Sequence, residues 1–206
     1  MKKIVSLLVT VVGLSFLLSG CGGAKIQDPK LAKAFDDKAK LYTTRNMHYN
    51  IGRRGAKIVE ATNYQVGILI PVNSEVTMDA INRKQIAFIY RGQKIILRNI
   101  PKYTGLDIGA IAKRYFSMKK VDLSQFTKQE QKAIKSAQVV NGMSKKAVIV
   151  SLGTPPAHVT PNLDMDQWKY WRTRFSTFFV TFENGKVISN PKTPSNGQHQ
   201  LSIRVN

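Results

Sequence analysis

The chain has 206 residues, with 32 Lys/Arg against 12 Asp/Glu, a formal net charge of +20 and one cysteine. A single cysteine, Cys21, excludes an intramolecular disulfide and any multi-cysteine metal site. His48, His158 and His199 share no ligand spacing, so no metal and no cofactor is expected. A field of this sign favours anionic partners, with a merely basic surface as the plain alternative.

The N-terminus explains where such a chain works. Lys2 and Lys3 precede an apolar run from Ile4 to Leu18. That run is too short to span a bilayer comfortably and has the charge, length and small-residue exit of a secretory signal. It ends in Leu18-Ser19-Gly20-Cys21, which resembles a bacterial lipobox. The resemblance implies cleavage after residue 20 and lipid on the Cys21 thiol. The expected address is the cell envelope, with a membrane anchor through Cys21. Gly22 follows the cysteine. In enteric-type bacteria Asp at that position retains lipoproteins in the inner membrane, so the outer membrane is expected, on its periplasmic side. Export makes nucleic acid an unexpected partner, although basicity alone would suggest it. Acidic lipid headgroups, lipopolysaccharide phosphates and acidic protein surfaces remain. No later segment is long and apolar enough to be read as a membrane span.

Residues 21–40 read as a lipidated tether, with Pro29 able to open a short helix carrying Leu31, Ala34 and Phe35 on one side. Residues 41–105 read as a small, barrel-like all-β domain. Strands are expected at Lys57–Ala61, Tyr64–Ile70, Val76–Ile81, Gln85–Tyr90 and Lys94–Leu97, with a hairpin turn at Arg91-Gly92-Gln93. Asn46, Tyr49, Arg53 and Arg54 are expected on a solvated loop, with a binding face as the alternative reading. Over 106–121 the period changes. Ile108, Ile111, Ala112, Tyr115 and Phe116 fall on one helical face behind the N-cap Asp107, which predicts a connecting helix.

Residues 122–206 carry the densest local signals. Thr127-Lys128-Gln129-Glu130 is a capping box ahead of Ala133, Ile134 and Ala137. Ser144 can cap a second helix over Lys145–Leu152, which Gly153 and Pro155-Pro156 stop. Val148-Ile149-Val150 alone would suit a strand, but the cap and stop signals sit at helix distances. Strands are expected at Gln167–Trp171 and Phe178–Phe182, then Asn184-Gly185 turns into Lys186–Ile188. Caps, stops and an apolar set of its own predict that this region folds alone. The fold class expected is α+β.

The pieces Gly142-Met143-Ser144-Lys145, Leu152-Gly153-Thr154-Pro155, Trp168-Lys169-Tyr170 and Val180-Thr181-Phe182-Glu183-Asn184-Gly185-Lys186-Val187, in that order behind a lipobox, resemble the SmpA/OmlA, or BamE-like, lipoproteins. The resemblance covers residues 122–190. It implies two helices on a three-stranded antiparallel sheet, and a role beside the machinery that inserts outer-membrane β-barrels. Residues 41–105 have no counterpart in that pattern.

Trp168 and Tyr170 are two apart and share one strand face, the core face; Lys169 and Trp171 take the other. Trp and Arg dominate interface hot spots, so Lys169, Trp171, Arg172 and Arg174 are the expected partner-binding residues. No catalytic residue is expected: no Gly-x-Ser-x-Gly, His-Glu pair or metal-spaced cluster is present. Asp164 and Asp166 lie in a Pro-rich loop as turn formers. The function expected is that of a non-catalytic binding or scaffold factor for outer-membrane assembly or integrity. The alternative is a recognition or inhibitor module for a secreted enzyme or for peptidoglycan.

Overall fold

A computed structural model describes Ile26 and residues 29–189. Residues 1–25, which include the expected signal segment, Cys21 and the start of the expected tether, lie outside the described residues, as do residues 27–28 and 190–206. The protein is α+β. Helix α1 (Pro29–Asp36) leads into strands β1 (Lys40–Thr43), β2 (Met47–Ile51), β3 (Lys57–Glu60), β4 (Ile68–Ile70), β5 (Glu75–Ile81), β6 (Gln85–Tyr90) and β7 (Gln93–Arg98). Next come helices α2 (Pro101–Thr104) and α3 (Ile108–Tyr115) and the short β8 (Phe116–Ser117). The remainder is α4 (Lys128–Lys135), α5 (Lys145–Leu152), β9 (Gln167–Trp171), β10 (Thr177–Glu183) and β11 (Lys186–Ser189).

The first eight strands form one curled sheet in the order β4-β2-β3-β7-β6-β5-β1-β8. Its edges are β4 and β8, so among the described residues the ladder is open rather than a closed ring. The β6–β7 hairpin turns on Arg91 and Gly92, with φ of 49° and 73°. Left-handed backbone at both central positions gives the turn a twist that matches the strands it joins. Alternate residues of the strands, including Leu41, Met47, Val59, Met78, Phe88, Ile95 and Leu97, are fully buried on one face. That face needs a cover. Helix α1 supplies Leu31, Ala34 and Phe35, and α3 supplies Ile108, Ile111, Ala112 and Tyr115, to the same core. The core around residues 41–105 is therefore not made of strands alone.

Three local expectations need correction. The strand expected at Tyr64–Ile70 pairs only from Ile68. Gly67 interrupts it with φ of 129°, and a Cβ there would lie 2.5 Å from the Tyr49 carbonyl oxygen. Strands β1 and β2 occupy a stretch whose strand character is hidden by polar residues. Tyr49 packs into the core and Asn46 is wholly buried, so neither lies on a solvated loop; Arg53 and Arg54 are exposed.

The second unit is helix, helix and three antiparallel strands, ordered β11-β10-β9. Its capping box is present. Thr127 Oγ1 accepts from the Glu130 amide at 3.2 Å, and Glu130 Oε2 accepts from the Thr127 amide at 2.9 Å. The other Glu130 oxygen accepts from the Ser144 amide at 2.8 Å, so one carboxylate ties the starts of both helices. Ser144 Oγ in turn accepts from the Ala147 amide. Burial pushes the Glu130 carboxyl up, but these amides outweigh it and hold the group down at about 2. Trp168 and Tyr170 point inward with Val180, Phe182 and Val187 against Ala133, Ile134, Val148 and Leu152. Trp168 meets Phe182 at 4.6 Å between ring centroids. Asn184 and Gly185, at φ of 50° and 72°, form the two-residue turn into β11.

A polar seam joins the two units. Helix α5 ends with free carbonyls, as every helix does, and the first unit satisfies them. The Asn46 amide donates to Val150 O at 3.0 Å, and its Nδ2 donates to Ser151 O at 3.1 Å and to Ile134 O at 2.6 Å. Asn46 Oδ1 accepts from the Val72 amide at 2.7 Å. Asn63 Nδ2 and Gln65 Nε2 both donate to Leu152 O. Gly153 is needed beside them: its φ is 85°, and a Cβ would sit 2.5 Å from Asn63 Nδ2. Arg45 completes the seam, donating to Thr154 Oγ1 at 2.6 Å with its guanidinium over the Tyr115 ring.

Candidate functional site

At one mouth of this seam lies a cleft of about 480 Å³, with walls from both units. Its floor starts in the parallel β3–β7 pair, where Glu60 and Arg98 are register partners. Adjacency on one sheet face brings their side chains into a two-pronged ion pair: Arg98 Nε meets Glu60 Oε2 at 3.1 Å, and Nη2 meets Oε1. The hydrogen bonds and charge of Glu60 raise Arg98 above the ordinary arginine range. Past Glu60 the chain turns through Asn63, whose φ is 51°. The turn presents Thr62 and Tyr64 to the cleft. Burial, and then the nearby Glu60 charge, raise the Tyr64 hydroxyl, which stays a proton donor at neutral pH.

Helix α2 opens with Pro101, whose missing N–H costs nothing at a helix start. It holds Tyr103 at the rim. From the second unit, Pro156 begins a turn in which the Thr160 amide donates to Pro156 O at 3.0 Å, placing His158 opposite Tyr103. Tyr103, His158 and Trp171 then form a run of rings. Their centroids are 4.9 and 5.4 Å apart and their planes are tilted by 45° and 37°. Trp171 ends β9, anchored by the Gln65 amide donating to its carbonyl at 3.0 Å. Beyond it the Arg172 amide donates to Ser176 O at 2.8 Å, closing a turn with Arg174 near its tip. Arg174 lines the cleft and has no carboxylate partner among the described residues.

The expected binding residues thus take different places. Trp171 and Arg174 come together in the cleft. Lys169 lies on the same sheet face as Trp171, with Nζ 5.4 Å from its ring centroid and 5.6 Å from that of Phe179. Arg172 sits over the Phe178 ring at 5.1 Å and is not part of the cleft wall. Cys21 lies outside the described residues. Sequence reasoning misses Glu60, Tyr64, Arg98, Tyr103 and His158 as wall residues. They come from segments that meet only when the seam forms, and no spacing links them. Pro155-Pro156 marks the loop that carries His158 but not its destination.

Chemically, the cleft offers aromatic faces and many donors: two guanidiniums and two tyrosine hydroxyls. Among the described residues Glu60 is the one acid in its lining, and it is already taken by Arg98. The arrangement suits a ligand with an apolar face and a negative charge. Among the described residues no three His, Cys, Asp or Glu side chains are grouped to hold a metal, and no helix is long and apolar enough to cross a membrane. No family model matches the chain, and no curated protein or solved structure is significantly similar to it.

Proposed function

We propose that the protein is a non-catalytic cell-envelope lipoprotein, anchored by lipid on Cys21, that binds an anionic envelope partner through the cleft at its seam. The observation that carries the binding role is the juxtaposition of Trp171 and Arg174, which has no carboxylate partner among the described residues, with Tyr64, Tyr103 and His158 in one concavity. The envelope address rests on Lys2-Lys3, the apolar run and Leu18-Ser19-Gly20-Cys21. The helix, helix and three-strand order over 128–189 supports an SmpA/OmlA-type second unit, and with it a part in outer-membrane assembly or integrity. The curled sheet ahead of it adds the other wall of the cleft. The second reading, recognition of peptidoglycan or of a secreted enzyme, draws on the cleft's size, which is that of a small-ligand pocket rather than a flat protein interface.

The address is tested by feeding cells an alkynyl palmitate analogue. Wild-type protein takes up label and bands with outer-membrane markers on a sucrose gradient. Cys21→Ser takes up none and leaves an uncleaved or unacylated precursor that loses stable membrane binding, since stable anchoring needs more than one acyl chain. Unlabelled wild-type protein would overturn the lipoprotein reading.

A further inference from the structure

We infer that the outer side of β4 is a docking edge for an added strand, and that its occupant is this chain's own segment Leu201-Ser202-Ile203-Arg204-Val205. The inference stands apart from the cleft and from the envelope address.

A sheet edge presents a row of unpaired amides and carbonyls, and folded proteins shield such rows with charge, shortness or a covering segment. The other edges here are shielded. Strand β8 is two residues long and runs into Lys119 and Lys120. Outside β11, the Gly142 amide donates to Val187 O at 2.7 Å and the Val187 amide to Met143 O at 2.9 Å. Outside β9, the Gln65 amide donates to Trp171 O at 3.0 Å and the Lys169 amide to Thr160 Oγ1 at 3.1 Å. Strand β4 pairs with β2 on one side, and among the described residues no strand pairs along the other. Nor is charge placed there: no Asp, Glu, Lys or Arg occurs from Ala61 to Ser74, in a chain whose net charge is +20. Apolar side chains stand in water instead. Ile68 is 49% exposed and Val66 46%. Ile68 faces Tyr49 across the ladder, so it shares a sheet face with Ile51, further along β2 and 65% exposed. Val66 is held beside them by Asn50 Nδ2, which donates to its carbonyl at 3.1 Å.

Pattern and reach identify the occupant. Leu201, Ile203 and Val205 alternate with Ser202 and Arg204, which gives a strand one apolar side to lay beside Ile68 and one polar side for water. Strand β11 runs back toward the Trp171 end of its sheet, since Lys186 faces Glu183, Ser189 faces Thr181, and Thr177 faces Trp171. The Gln65 amide holds Trp171 O, and Ile68 lies just beyond Gln65 in sequence. That route from Ser189 to Ile68 is about 30 Å, counted along and across strands. The stretch from Ser189 to Leu201 reaches about 40 Å when extended. Pro191, Pro194 and Gly197 suit it to a link rather than a strand. A segment tethered this closely is present at about millimolar effective concentration, ahead of a dilute outside strand.

The test is residue-resolved hydrogen exchange on the chain from residue 22 onward, which holds every described residue and lacks Cys21. The β4 amides that point away from β2 should exchange at least about tenfold more slowly in this chain than in one ended at Gln200. The amides of Phe88 and Ile95, paired inside the same sheet, should be equal in both, which checks the fold. Ile203→Lys should remove the protection and Ser202→Lys should keep it. Leu69 faces away from Ile68, so Leu69→Cys paired with Ser202→Cys or Arg204→Cys should close a disulfide within one chain, with no other cysteine present. Equal exchange of β4 in the whole and shortened chains overturns the inference and leaves the edge to an outside partner. Protection that survives Ile203→Lys overturns the assignment of the apolar side. Protection lost on dilution, or a disulfide that joins two chains, gives the edge to a second copy and likewise overturns it.

Discussion

The two units of this protein are held together by contacts of very different range. In the second unit, the decisive groups sit close in sequence: Thr127 with Glu130, Ser144 with Ala147, and Asn184 beside Gly185. In the first, neighbours in the sheet are distant in sequence, as in the β3–β7 pairing of Lys57–Glu60 with Ile95–Arg98. The difference has its consequence at the polar seam. The locally specified unit leaves the Val150, Ser151 and Leu152 carbonyls at the end of α5 to be met from outside, and the long-range unit supplies Asn46, Asn63 and Gln65 to meet them. The cleft is a product of that join and belongs to neither unit alone.

The largest effect is expected inside the second unit. Trp168 is fully buried, and Trp168→Ala should cost about 3–5 kcal/mol, the range for deleting a buried large aromatic. Thermal melts check it. Trp168 Nε1 has no hydrogen-bond partner among the described residues, so Trp168→Phe should cost much less. Equal losses for Ala and Phe would mean that packing around the indole is not what holds this core.

At the seam, Asn46→Leu strands the Ser151 carbonyl and the Val72 amide in a dry environment, while the Ile134 carbonyl keeps the Ala137 amide at 3.1 Å. Each unsatisfied buried group costs about 1–3 kcal/mol, so a total loss near 4 kcal/mol is expected in urea unfolding. The comparison sharpens with a fragment. Residues 122–206 carry their own caps, but alone they leave the α5 carbonyls to water. The fragment should therefore melt below the second unit within the whole chain. An unchanged melting temperature would show that the seam contributes nothing to that unit.

Acid should separate the units. His48, on β2, is buried and its pKa is lowered to about 4 by desolvation, against 6.5 when exposed. A depressed folded pKa means that the stabilisation is present above pH 6.5 and lost as pH falls toward 4. The loss is about 3 kcal/mol at most. Glu130 acts lower: its contribution is present above 4.5 and lost as pH falls toward about 2. His48→Phe should flatten the upper window of a stability-against-pH curve, and Glu130→Gln the lower one. A single window removed by neither change would contradict both assignments. The smallest stability effect is expected at the cleft. Trp171 is half-buried, and Trp171→Ala should cost less than about 1 kcal/mol, as surface changes usually do, while weakening ligand binding.

The same contrast of range decides how much a linear sequence can carry. The helix over Lys145–Leu152 is legible despite Val148-Ile149-Val150, because Ser144 and Gly153 bracket it at helix distances. The inward face of β9 is legible because period two separates Trp168 and Tyr170 from Lys169 and Trp171. Strand β2 is not, since Asn46 and His48 alternate with Met47 and Tyr49 and look like surface positions. The burial of Asn46 comes from the seam, which no local window contains. The same holds for the cleft. Trp171 and Arg174 stand out by residue type next to a strand, whereas Tyr64, Arg98, Tyr103 and His158 become neighbours only through the tertiary fold.

The central claim is that ligand binding occurs in the cleft where the two units meet. Its most direct test is a photo-crosslinking amino acid placed at Tyr103, with a control at Ile51, an exposed apolar residue at the far end of β2 that is 65% accessible. In living cells, irradiation should give a covalent adduct from position 103 that disappears in the Arg174→Glu background. Adducts from position 51 alone, or from position 103 regardless of the charge at 174, would contradict the account.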